Sequence, residues 1–364
     1  MKNKIFSKIP DYIAGKDINE TKKLLGLKKV IKLASNENPY KTPKTLLKIF
    51  KKEFKNIYLY PNKDYPELRE KLAEKLELNK ENIILGNGSD EIIELVFKYL
   101  ALQSKNFRVM LFFPTFHLYY ILAKIYSAKI IKINLPNFEY DIKKIIKEIN
   151  KKNVDLIVIC NPNNPTGTYI NEFNLKEILK RMSKKNIILI DEAYYNYVTA
   201  LDFPNSVEIF KEFSKKTNLI ITRTFSKIYG IAGLRLGYAF GNSEIIKMLN
   251  KLRMPFNVNS IAYKSALFLI DEEKFINKCE IKNYENKLFF YKELDKLNLE
   301  YKRSEANFIF IKLPIKAKDA FESLLKFGII VRPIYGEGLD NYIRVTIGKL
   351  KEIKKFLRAL KKII

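Results

Sequence analysis

A lysine serves as a nucleophile only where its ammonium is made unfavourable, by desolvation or by nearby positive charge, so that the free amine can meet a carbonyl. Lysines occur in nearly every segment of this chain, and Lys227 is set apart only by its loop. Thr224 and Ser226 stand just before it, Arg235 follows eight residues later, and glycines at 230, 233 and 237 leave the backbone uncovered. Three other stretches carry residues of the same kind. "GNGSDE", Gly86 to Glu91, follows an apolar run and opens a helical pattern, so free backbone N–H groups and the positive helix end could receive an anion. Ser89 and Asp90 there would equally serve as plain helix caps. Glu91 occupies the place of the third glycine in a dinucleotide fingerprint, which excludes that motif. "CNPNNPTG", 160–167, holds two Asn-Pro pairs; these keep the backbone extended and turn amide side chains into whatever the loop borders, with Asn164 as the candidate ligand. Asp191 closes the apolar run of "NIILIDEAY", where a buried carboxylate is expensive unless it faces a cation.

Each of these stretches lies at the end of an expected strand. From about residue 82, short apolar runs (82–85, 108–113, 129–134, 154–160, 186–191, 218–223, 236–240) alternate with helical patterns. Continuous apolar strands separated by helices predict a mostly parallel sheet covered on both faces, an α/β architecture. In such sheets ligands lie where strands end and loops begin. After residue 243 helices dominate, with a long polar one near 271–298, followed by a smaller α+β unit containing "NFIFIK", "GIIVR" and "YIRVTIG". The first 30 residues have weak periodicity and are expected to form an arm or part of that smaller unit. A lysine, a phosphate cradle from Thr224, Ser226, Arg235 and the helix start at 86–90, a buried acid and an amide turn together describe a pyridoxal 5'-phosphate site.

Composition removes other classes. The 364 residues can bury a large core, and neither the start nor any later segment holds the ~20 uninterrupted apolar residues of a membrane span, so a cytoplasmic protein without membrane contact is expected. Histidine occurs once, as His117, which rules out a multi-histidine metal site and leaves no sign of a serine triad; a pocket-edge or surface role is expected, and no metal. The two cysteines, Cys160 and Cys279, are too far apart in sequence for a metal knuckle. The formal charge of +27 is spread singly or in pairs over amphipathic segments, so it does not read as a nucleic-acid surface, although it would attract small anions.

Over nearly its whole length the chain resembles the fold-type I pyridoxal-phosphate aminotransferases, most closely those acting on histidinol phosphate. "DYIAGK", "LASNENPY", "LYPN", "GNGSDE", "PTF", "NPNNPTG", "DEAY", "TFSKIYGIAGLRLGY" and "GIIVRPIYGEGLDNYIRVTIG" carry the likeness in order and spacing. The resemblance implies a large cofactor-binding domain at 36–260, with 1–35 as an arm and 261–364 as a small domain. It implies a Schiff base at Lys227, which afterwards moves a proton, and Asp191 on the pyridinium nitrogen. Tyr194 and Asn164 would reach the ring's 3-oxygen, and Phe116 would stack on the ring. Ser89, Asp90, Thr224, Ser226 and Arg235 would surround the phosphate. Tyr12, Asn164, Arg332 and Arg344 would grip the substrate, and Tyr60 would enter the partner's site in a homodimer. The implied reaction passes an amino group between glutamate/2-oxoglutarate and a small phosphorylated compound, histidinol phosphate with imidazole acetol phosphate. Transfer to another phosphorylated ketone stays open, because "DEAYYNY" has Asn196 where such enzymes usually have glutamate, and so does decarboxylation of an O-phospho amino acid, which differs in the bond to Cα held perpendicular to the ring, a geometry no sequence displays.

Overall fold

The structure is a computed structural model that describes residues 9–11, 15–151 and 153–364. A two-residue strand, β1 (Ile31–Lys32), comes first. The apolar runs then become β2 (Ile83–Gly86), β3 (Arg108–Phe113), β4 (Lys129–Asn134), β5 (Leu156–Cys160), β6 (Ile187–Asp191), β7 (Asn218–Thr224) and β8 (Gly237–Gly241). These seven form one sheet in the order β2-β8-β7-β6-β5-β3-β4. β8 alone runs against its neighbours, pairing antiparallel with both β7 and β2. Only residues 225–236 connect β7 to β8, and they hold no α-helix, whereas a parallel crossover normally needs one.

Every residue of β2, β5, β6, β7 and β8 is buried, as strands covered on both faces require. Successive side chains point to opposite faces. Thus Ile157, Ile159, Ile188 and Ile190 enter one apolar core, with helices Pro66–Leu76, Glu172–Leu179 and Ser206–Phe213. Leu156, Val158, Ile187 and Leu189 enter the other, beneath Ser89–Gln103, His117–Ile125 and Ser243–Leu252. Edge strand β4 alternates buried and exposed residues instead.

A second sheet follows the long helix Glu273–Lys296. Its strands are β9 (Tyr301–Lys302), β10 (Phe308–Lys312), β12 (Arg332–Pro333) and β13 (Tyr342–Thr346), antiparallel in the order β12-β13-β10-β9. The short β11 (Ile329–Ile330) pairs in parallel with β1. Helices Ala317–Lys326 and Leu350–Leu360 pack on this sheet around a third core that includes Ile309, Val345 and Phe356. The early segment also holds a helix, Ile18–Leu25, which its weak periodicity did not announce. Its signals are at the ends: Asp17 accepts from the N–H groups of Asn19 and Glu20, and Gly26 closes it at φ 62°.

Candidate active site

The carboxyl ends of β2, β3, β5, β6 and β7 open on one cavity of about 1080 Å³, closed from the other side by the segment 34–36 and by β12 and β13. The register places Gly86, Gly237 and Thr224 side by side across β2, β8 and β7. Gly237 is there for space: a Cβ at this position would lie 2.6 Å from the Gly88 carbonyl carbon and closer still to the Ser89 nitrogen. Its absence lets the N-terminus of helix Ser89–Gln103 sit against the lysine loop. Glu91 locks that turn, its Oε2 accepting from the Asn87 N–H at 2.5 Å and from Asn257 Nδ2 at 2.6 Å. Gly88, at φ 78°, precedes the helix.

Lys227, Ser226, Thr224, Ser89, Asp90 and Arg235 all line this cavity. Lys227 Nζ donates to the Ser35 carbonyl at 3.3 Å and lies 5.5 Å from the Tyr194 ring centroid. Burial pulls its pKa down to about 8, assisted by the Arg344 guanidinium. Arg235, in left-handed backbone at φ 54°, donates to Ser226 Oγ and to Asp90 Oδ2, both at 3.3 Å. Burial raises the Asp90 carboxyl against the opposing pull of Arg235 and Lys227. Ser226 N–H donates to Thr224 Oγ1 at 3.1 Å.

Asp191 lines the cavity at the end of β6. No cation faces it among the described residues: Tyr119 O–H donates to its Oδ2 at 2.6 Å, and Thr222 Oγ1 and Ala193 N–H donate to Oδ1 at 3.2 Å. With only neutral donors, burial raises the carboxyl to about 6. Tyr119 was not singled out from the sequence, although it lies one helical turn after Phe116, whose ring meets it edge-on at 5.6 Å.

In the proline-rich turn, where both Asn-Pro bonds are cis, two asparagines serve the loop itself. Asn161 bridges both backbone polar groups of Ile170, and Asn163 bonds Pro114, Thr115 and Thr166. Asn164 alone reaches across, accepting from Arg344 Nη1 at 2.5 Å. Arg344 Nη2 donates to the Ala34 carbonyl at 2.5 Å. Arg332 lines the same wall and is the direct cross-strand partner of Arg344. Like charges placed opposite one another in a sheet are unfavourable, so an anion between them would relieve both. Tyr194 is buried, and its hydroxyl accepts from Asn36 Nδ2 at 3.0 Å. Asn36, held in turn by Thr346, was also missed; it sits in the quoted stretch "LASNENPY" at φ 56°, which an asparagine tolerates.

Phe116 and His117 lie at the cavity edge, where partial desolvation of the imidazole and the Arg332 charge lower the histidine's pKa. Cys160 lines the floor as a buried thiol raised to about 12. Tyr60 does not line this cavity; it is exposed and stacks on Phe256 at 4.7 Å. Asn196 also stays outside, in the turn Tyr195–Tyr197. Tyr12 lies outside the described residues.

The sequence profile of the family "Aminotransferase class I and II" matches residues 28–360. The chain belongs to that family. As a class I and II aminotransferase it is 38% identical to a histidinol-phosphate aminotransferase of Caldicellulosiruptor saccharolyticus, over 100% of each chain. It is similar to the crystal structure of the histidinol-phosphate aminotransferase of Clostridium acetobutylicum, with a TM-score of 0.82 and 30% identity, covering 92% of this chain and 98% of that one. The enzyme of that name from Sinorhizobium meliloti, solved in complex with pyridoxal-5'-phosphate, shares the fold with a TM-score of 0.88 and 18% identity, over 99% and 96%. The aminotransferase is a pyridoxal-phosphate enzyme, and the cavity fits that group. It offers a lysine with a lowered pKa, a glycine-backed helix start beside Arg235, and a carboxylate lacking any described cationic partner. No helix among the described residues is long and apolar enough to cross a membrane.

Proposed function

We propose that the enzyme moves an amino group between glutamate/2-oxoglutarate and a small phosphorylated substrate, histidinol phosphate with its ketone imidazole acetol phosphate. The observation that carries this is the pairing of Arg332 with Arg344 on the wall facing Lys227, a cationic fork for a carboxylate in one half-reaction and a phosphate in the other. The names of relatives at 30% and 38% identity support the substrate.

Bound pyridoxal phosphate supplies an electron sink for the pair left at the substrate's Cα when its proton departs. Lys227 holds the group covalently through Nζ, and once released its amine takes the Cα proton; an amine with a pKa near 8 can both accept and return it. Asp191, oriented by Tyr119 and Thr222, would offer the ring nitrogen of the cofactor an ionised acceptor, and its own carboxyl would fall in pKa beside that charge. Asn164 and Tyr194 would donate to the ring's 3-oxygen, and Phe116 would cover its face. Ser89, Thr224, Ser226 and Arg235 bind the phosphate, while Asp90 holds Arg235 in line. Tyr12, Asn164, Arg332 and Arg344 bind substrate.

The unit we propose is a two-fold homodimer in the cytoplasm, with 36–260 as the large domain, 1–35 as an arm and 261–364 as the small domain. Its supporting observation is the exposed apolar stretch Phe54, Ile57, Tyr58, Leu59 and Tyr60, continued by Met254. A two-fold interface there would bury it and carry Tyr60 to the partner's phosphate.

Borohydride reduction followed by peptide mapping tests the site, with label expected on Lys227 and nowhere else. Glutamate alone is then expected to bleach the bound chromophore and yield 2-oxoglutarate, and histidinol phosphate to do the same from its side. Release of carbon dioxide from O-phosphoserine, with glutamate inert, would replace transamination by decarboxylation.

A further inference from the structure

Lys287 is a second buried lysine, outside the cavity lining, and nothing in the reaction above uses it. It lies on the inner face of helix Glu273–Lys296 with 3% of its surface exposed. Its ammonium donates to the carbonyl of Ser304 at 2.7 Å. No described carboxylate makes an ion pair with it; Glu305 acts on it only at longer range. A buried ammonium resting on one carbonyl is costly, and a methionine would fill the space more cheaply. The turn it holds is unusual in what else it touches.

Ser304 N–H donates to Tyr291 O–H at 2.7 Å, on the same helix. On its other side the Ser304 side chain fills the place of a Cβ at Gly167, the last residue of the Asn-Pro turn, and Glu305 N–H donates to the Gly167 carbonyl at 2.8 Å. The Glu305 carboxylate accepts from Thr199 N–H at 2.5 Å, Thr199 O–H at 3.0 Å and Ala200 N–H at 3.2 Å, which ends the segment carrying Tyr194. Two residues further, Asn307 Nδ2 donates to the Asn36 carbonyl at 2.9 Å, and Asn36 donates to the Tyr194 hydroxyl. The segment 304–307 therefore touches both loops that bring polar groups to the cofactor ring, and Lys287 braces it from behind.

We propose that Lys287 is a positioning residue: through the Ser304–Glu305 turn it sets where Asn164 and Tyr194 stand relative to the cofactor. The inference rests on the reading of those two side chains as donors to the ring's 3-oxygen. A donor there stabilises the anionic oxygen and lowers the pH at which the bound chromophore gives up its proton, so slackening either loop raises that pH.

The test is the absorbance of the cofactor-loaded enzyme against pH for the parent, Lys287→Met, Asn164→Ala and the double variant. Lys287→Met is expected to raise the midpoint by roughly half a pH unit or more, about one lost hydrogen bond, in the same direction as Asn164→Ala. The double variant is expected to move beyond Asn164→Ala by less than the two single shifts added together, because the Asn164 contact is already gone and only the Tyr194 contact is left to slacken. Lys287→Arg, which keeps a cation on the turn, is expected to restore most of the shift. A simple packing role predicts the reverse: a changed melting temperature with an unmoved midpoint, and that result overturns the proposal. Should Lys287→Met fail to fold, Glu305→Gln decides by the same readout, weakening the same turn from its outer side. A parent enzyme without any bound chromophore would overturn the reading of Asn164, and this inference with it.

Discussion

Lys227 and Asp191 carry opposite pH signatures in the cofactor-free protein. Folding lowers the lysine from an ordinary 10.5 to about 8. Between those values the unfolded chain holds more protons than the folded one, so stability rises with pH across that window. Asp191 moves from 3.8 to about 6, so the folded state holds the extra proton and stability falls as pH climbs between them. At about 1.4 kcal/mol per pH unit the lysine's effect is on the order of 3 kcal/mol. Lys287 is lowered to about 8 as well, and the Cys160 thiol opposes the rise above pH 9, so Lys227→Met is expected to remove about half of the lysine contribution and leave a smaller net alkaline rise, measured by urea unfolding at pH 8 and pH 10. Arg344 gives a kinetic prediction. Arg344→Ala leaves an anion unmatched and is expected to cost roughly 2–5 kcal/mol in kcat/KM for glutamate. Arg344→Lys should recover only part, since an ammonium lacks the planar fork; equal kinetics for parent and alanine variant would contradict the assignment. At this scale the sequence displayed the reactive groups but not their holders. Asn164 and Asp191 end apolar runs and can be seen in one dimension, whereas Tyr119 acts on Asp191 from 72 residues away and Asn36 acts on Tyr194 from 158.

Among elements, the junction of β2, β8 and the helix Ser89–Gln103 is where one atom decides geometry. Gly237→Ala would push a methyl group into the Gly88–Ser89 backbone, which has no flexible side chain to yield. The expected result is a loss of roughly 1–3 kcal/mol of stability together with a weaker cofactor Kd, checked by thermal unfolding and cofactor titration. The same substitution at Gly233, where a Cβ meets nothing within 4 Å, is expected to leave both unchanged. Such close approaches escape a reading of the sequence because all glycines look alike there. Strands were legible because a strand buried on both faces is a short unbroken apolar run, and β3 and β4 fall on the runs 108–113 and 129–134. The reversal of β8 was not, since the direction of a strand leaves no mark in its composition. Helices Thr45–Phe54 and Pro66–Leu76 were also passed over, lying in a lysine- and glutamate-rich stretch: the first buries only Leu46 and Glu53, the second Leu68, Leu72, Ala73 and Leu76.

For the whole molecule, the dimer has a test of its own. Lys227→Ala and Tyr60→Ala proteins, mixed under conditions that exchange subunits, would form hybrids with one intact site and one doubly damaged site. Activity is expected to rise well above either variant alone; failure to recover, despite proven exchange and a real Tyr60 defect, would assign Tyr60 to its own chain. The pairing of β1 with β11 bears on a different event, the birth of the chain. Ile31 meets Ile329, so the two lie 298 residues apart, the difference of 329 and 31. Leu33 is tied into the same late segment, accepting from the Thr346 N–H and donating to the Ile330 carbonyl. A ribosome adding roughly 5–20 residues per second makes that early strand wait about 15–60 s for its partner. Throughout synthesis "VIKLAS" must stay unpaired while the seven-stranded sheet assembles downstream of it. A nascent chain stalled before residue 329 would therefore offer this strand to a chaperone or a protease, and would lose that susceptibility once the segment 329–346 has emerged and paired with it.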